Sequence, residues 1–143
     1  MSPVTWWLFL SPPLSMLTAG MVFAVLAAAL HVLIFSMEPI AWEGALARKT
    51  FGGTPEEVRP HAFYAFNQGF YNLFLALQAI IGVVLAALGY AAIGAALILA
   101  GTGAMLAAAV VLALASTPHR SAAAKQGTFP LLAVVCTLAA LLG

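Results

Sequence analysis

The sequence has one cysteine, Cys136, set in the last apolar stretch, so neither an intrachain disulfide nor a cysteine-built zinc site can form. Charge is scarce as well: 6% of the 143 residues are charged, against 64% that are hydrophobic. A soluble domain cannot hide that much apolar surface. The formal net charge of +1 comes with a few scattered basic residues and no basic tract, so nothing suggests a nucleic-acid partner and none is expected. There is no phosphate-cradling glycine loop, nucleophile elbow, metalloprotease helix or tandem cysteine pair, so soluble-enzyme mechanisms have nothing to attach to. His61 and His119, taken with Glu56 or Glu57, lack any recognisable ligand spacing. No metal and no cofactor is expected.

Positive charge is missing from the beginning of the chain, where the first charged side chain is Glu38. A cleavable signal peptide opens on a basic region, so the first apolar run reads as retained despite the small residues Ala27, Ala28 and Ala29. Trp6, Trp7 and Phe9, followed by Pro12 and Pro13, read as an interfacial anchor ahead of the first span.

What is present is a set of four apolar runs, at about 15–37, 62–88, 91–115 and 127–142. A helix rises about 1.5 Å per residue, so the first three are each long enough for a hydrocarbon core of about 30 Å. The fourth is short for a crossing, although the alanines at 122 to 124 can lengthen it. Pro39 is expected to stop the first helix, and Gly89-Tyr90 leaves only a tight turn between the second and third. The expected fold class is all-α, a four-helix transmembrane bundle making one integral membrane domain over 1–143.

All charged residues lie between Glu38 and Arg59 or at Arg120 and Lys125, and the turn at Gly89 has none. With four spans both charged segments share one side. The positive-inside rule makes that side the cytoplasm and puts both termini outside. In the third span, alanines at 96, 100, 104 and 108 form a four-residue repeat, with Gly94, Gly101 and Gly103 nearby. It is expected to be a packing face for a neighbouring helix, a second copy or a larger complex.

Any chemistry belongs to the polar groups inside the spans, which are costly in hydrocarbon and usually face the protein interior. His31 lies about 9 Å inside the cytoplasmic end of the first span, and Asn67 and Gln68 about 8 Å inside the same end of the second. Asn67, Tyr71 and Gln78 fall on one side of the second helix, with Gln68 and Asn72 on an adjacent strip. His31 and Glu38, seven apart, share a face and are placed to bracket a ligand without touching. These groups either bond helices together, at about 1 kcal/mol or less each, or line a pocket where His31 moves a proton or polarises a bound group.

These residues resemble a known family of small bacterial membrane proteins, domain of unknown function thirteen-hundred-and-four. The resemblance rests on His31-Val-Leu-Ile-Phe-Ser-Met-Glu38 with Trp42, then Arg48-Lys-Thr-Phe-Gly52, then Asn67-Gln-Gly-Phe-Tyr-Asn72, then Gln126-Gly127 with Pro130. It implies a multi-pass protein of the bacterial inner membrane. Members are sometimes labelled epimerases, a label not carried over as an activity. Pro39, and Leu73 with Gln78, depart from the family pattern.

Three classes of function fit. The first is a binding module holding a small apolar or lipid-like molecule, its pocket lined by His31, Glu38, Asn67, Gln68, Tyr71, Asn72 and Gln126. The second is a membrane-embedded isomerase with His31 and Glu38 as catalytic acid and base. The third is an accessory or assembly subunit of a homo-oligomer or larger membrane complex. Membrane lipid is the expected partner of all three, and binding is preferred to catalysis.

Overall fold

The computed structural model describes residues 12–143, and helices dominate them. The expected anchor at Trp6, Trp7 and Phe9 lies outside the described residues. Helix α1 (Pro12–Phe35) leads into a π-helical turn, Ser36–Ile40. Two short helices follow, α2 (Ala45–Phe51) and α3 (Pro55–Val58), then a 3₁₀ turn, Arg59–His61. The long helices α4 (Ala62–Ala87), α5 (Ala91–Ala115) and α6 (Arg120–Leu142) complete the chain. Among the described residues, four helices are long and apolar enough to cross a membrane.

The long helices pack in a closed ring in chain order, α1 against α4, α4 against α5, α5 against α6 and α6 against α1. Neighbours run antiparallel. Gly20 of α1 meets Thr137 of α6, while Ala24 and Ala133 share a core cluster one turn further in. The interior is built largely from alanine, including Ala24, Ala27, Ala76, Ala79 and Ala133, whereas large side chains such as Leu114, Val111, Phe63 and Leu142 lie outside. That arrangement inverts a water-soluble core: small residues bring the backbones close, and the large apolar ones face outward.

The turn between α4 and α5 forms where the sequence leads one to expect it, for a local reason. Gly89 takes φ +95, a left-handed conformation that glycine adopts without penalty. That geometry lets the Tyr90 amide reach the Leu85 carbonyl at 2.9 Å and the Gly89 amide reach that of Ala86 at 3.1 Å, closing the end of α4.

Three expectations are corrected. Pro39 does not stop the first helix: the chain widens into a π turn with Pro39 inside it, which accommodates a ring that cannot donate to the preceding turn. The fourth helix begins at Arg120 rather than near 127, since Arg120 and Lys125 sit at its exposed end and need not be excluded from it. The alanine repeat at 96, 100, 104 and 108 is exposed, so it is not the packing face for a neighbouring helix of this chain, while a second copy or a larger complex stays open for it. The packing face of α5 is instead Gly94, Ile98, Gly101 and Met105, where missing Cβ atoms let α4 approach its backbone.

The segment joining α1 to α4 is tied down at several points. Thr54 and Glu57 cap α3 reciprocally, and the Trp42 indole N–H donates to the Val58 carbonyl at 2.7 Å. Arg59 grips the Glu43 carboxylate with two N–H groups, at 3.2 and 3.1 Å. Chiefly through its hydrogen bond, Arg59 holds the Glu43 carboxyl below the usual carboxylate range. The pair's contribution is therefore complete above that usual range and is lost as pH falls through the lowered value. Both partners are exposed, so the contribution is small and screened by salt. Arg59→Ala should return the Glu43 titration, followed by NMR, to ordinary carboxylate values with little change in thermal unfolding. A titration indifferent to Arg59 would mean that the pair does not form.

Candidate functional site

At the end of the bundle that carries the charged segments, α1, α2, α4, α5 and α6 enclose a cavity of about 730 Å³. Each helix contributes residues at helical spacing. From α1 and its π turn come Leu30, Leu33, Ile34, Met37 and Glu38; from α2, Leu46, Lys49 and Thr50; from α6, Ser121, Ala122, Lys125 and Gln126. Spacings of three and four place each set on one face, so a single side of each helix builds the wall. Helix α4 adds Gln68 and Asn72.

The centre of the site is a bond between two buried polar side chains. Asn72 Nδ2 donates to Glu38 Oε2 at 2.8 Å and shares its protons with the Gln68 carbonyl at 3.2 Å. Glu38 is 8% exposed and Asn72 6%. The bond depends on how the π turn seats on α4: Gly69, one turn before Asn72, has no Cβ, and the Pro39 ring and Glu38 Cβ occupy that place. Phe35 meets Phe70 edge-on beside it, with ring centroids 5.2 Å apart.

His31 lies elsewhere. It is fully buried, and Nδ1 is 2.9 Å from the Ala27 carbonyl of its own helix. A carbonyl can only accept, so Nδ1 carries the proton, and Nε2 has no partner among the described residues. His31 does not line the cavity, and among the described residues it bonds no other helix.

The structure therefore brings together four of the residues singled out in the sequence, Glu38, Gln68, Asn72 and Gln126, around one cavity. Asn67 and Tyr71 are exposed on the outer side of α4 and are not among the residues lining this cavity, and His31 stays in the bundle interior. Gln68 and Glu38 also border a shallower hollow of about 300 Å³ with Trp42, His61 and Tyr64. Lys49, Thr50, Lys125 and His119 also line the larger cavity, although the sequence reading gave none of them a place in the pocket and weighed His119 only as a metal ligand. The available signal was the spacing of Leu46, Lys49 and Thr50, one apolar and two polar residues on a single helical face.

The model of the family described as protein of unknown function (DUF1304) matches residues 25–138, which include the cavity-lining residues from Leu30 to Gln126. The chain belongs to this family. No curated protein and no solved structure matches it. The family's description assigns no activity, so its matched segment leaves function to be argued from the cavity.

Proposed function

We propose that this is a multi-pass protein of the bacterial inner membrane that binds a small apolar or lipid-like molecule in the cavity beside Glu38 and Asn72. The inverted core supports the membrane setting, since exposed leucine, valine and phenylalanine on all sides need lipid around them. The basic residues Arg48, Lys49, Arg59, Arg120 and Lys125 all lie at the cavity's end, and the positive-inside rule supports a cytoplasmic side for that end and an outside location for both termini.

One observation carries the binding reading: a hydrogen-bonded carboxylate and amide, both over nine-tenths buried, form part of the wall of a 730 Å³ cavity that joins an aliphatic side, with Leu30, Leu33, Ile34 and Leu112, to a few polar groups. Ligand pockets have this composition and a volume of roughly 300–1,000 Å³. The isomerase alternative requires His31 and Glu38 to act on one bound molecule, and only Glu38 reaches the cavity. The assembly alternative draws on Ala96, Ala100 and Ala104 of α5, which are exposed and leave room for a close helix contact from outside.

Native mass spectrometry of the protein released gently from detergent tests the proposal. The wild-type chain should retain a bound amphiphile, and Ala122→Trp, which places an indole in the cavity, should lose it while keeping its helical circular dichroism. Equal retention by both proteins would remove the cavity as the binding site. A stable protein partner, co-purified and lost on Ala100→Leu, would instead favour assembly.

A further inference from the structure

Cavity charges define what kind of head the ligand carries. Glu38 has one oxygen on the Asn72 amide, and among the described residues it has no cationic partner, the ion pair found there being Arg59–Glu43. A nearly buried carboxylate with only a neutral amide beside it is costly to maintain without a further donor. Lys49 of α2 and Lys125 of α6 line the same cavity from exposed positions on two different elements. Away from these charges, Leu30, Leu33, Ile34 and Leu112 make an aliphatic wall, and Leu30 lies eight residues, about 12 Å of helix, further into the bundle than Glu38.

Resting on the reading of this cavity as a binding site, we infer that its ligand is an amphiphile whose head carries both a phosphate and a protonated primary amine. The phosphate sits between Lys49 and Lys125, the ammonium donates to Glu38, and the acyl chain follows the wall from Ile34 towards Leu30. A ligand with an anion alone satisfies the lysines but brings negative charge to Glu38. An alkylamine satisfies Glu38 and leaves both lysines without an anion. A head with both charges serves all three side chains, and charge-assisted bonds of this kind are about twice as strong as neutral ones.

The test uses the full chain in detergent with three added lipids: phosphatidylethanolamine, phosphatidylglycerol, which has the phosphate but no amine, and diacylglycerol, which has neither. Affinity is read by native mass spectrometry and by thermal shift. Phosphatidylethanolamine should bind about tenfold more tightly than phosphatidylglycerol, the worth of one hydrogen bond to a charged group. Glu38→Gln keeps an oxygen for Asn72 and should erase that preference. Lys49→Ala with Lys125→Ala should instead weaken both phospholipids alike, by about tenfold, towards diacylglycerol.

No preference in the wild type, or a preference untouched by Glu38→Gln, would overturn the inference. So would equal competition by water-soluble glycerophosphoethanolamine, which would make the ligand a free head group rather than a lipid. If Ala122→Trp abolishes lipid binding while no head-group preference exists, this inference alone fails. If Ala122→Trp changes nothing, the cavity reading fails with it.

Discussion

Gly94→Val should destabilise the bundle by about 3 kcal/mol, the upper end of what overpacking a close contact costs. A Cβ at position 94 would stand 2.5 Å from the Ala86 amide nitrogen, 2.6 Å from Ala86 Cβ and 2.6 Å from the Gly82 carbonyl oxygen. None of these atoms can swing aside as a long side chain would. Helix α5 would have to move bodily away from α4, opening the contact of Gly82 with Ile98 as well. A membrane-embedded helix pair is held by such close packing, because lipid tails compete equally for any looser apolar contact.

Gly103→Ala should have the opposite sign. A Cβ there meets nothing within 4 Å, and alanine in a helix interior is favoured over glycine by roughly 0.5–1 kcal/mol. Reversible unfolding in mixed micelles measures both variants against the wild type. If the two glycines prove interchangeable in their response, the α4–α5 contact is not the one described.

The same pair of glycines marks how far the sequence could be read. The helical hairpin was legible because Gly89 interrupts two long apolar runs, and a left-handed turn is local chemistry. The clustering of charge at one end was legible because it needs only position along the chain. Which face of α5 packs inward was not. That helix is apolar all round, so periodicity alone points nowhere, and small residues recur every three or four positions along two strips. Residues 94 and 96 differ by about 200° around the helix, so choosing the alanine strip selected the outer face. What decides is the missing Cβ at Gly94 and Gly101, a property that appears only once a partner backbone comes near.

The site divides in the same way. Asn72 stood out as a polar residue in an apolar run and Glu38 as a carboxylate just past the end of one, and both border the cavity. That they would bond each other depends on the Pro39 ring seating against Gly69, a contact between segments thirty residues apart. Asn67 and Gln68 are neighbours in sequence, yet a helix turns them about 100° apart, and only Gln68 faces the cavity. Lys49 and Lys125 were read as markers of orientation alone, because nothing along the chain says that α2 folds over the end of α6's cavity face.

Asn72→Asp should be nearly as damaging as Gly94→Val, with a loss of about 3 kcal/mol at neutral pH, because it leaves Glu38 without a donor. The change exchanges a 2.8 Å hydrogen bond for two carboxylates in contact, and neither Arg nor Lys is paired with either position. Asn72→Leu, close to asparagine in size, removes the donor without adding charge and should cost less, about 2 kcal/mol. The decisive measurement is the exchange of the two groups. In the double variant Glu38→Gln, Asn72→Asp, the amide and the carboxylate trade sides, and the amide N–H now carried at position 38 can donate to the carboxylate at position 72 across the same gap. Contacting residues are expected to be non-additive, so the double variant should regain at least half of what Asn72→Asp alone lost. A double variant no more stable than Asn72→Asp would mean that these side chains do not hold one another, and the bond that forms the wall of the cavity would not exist.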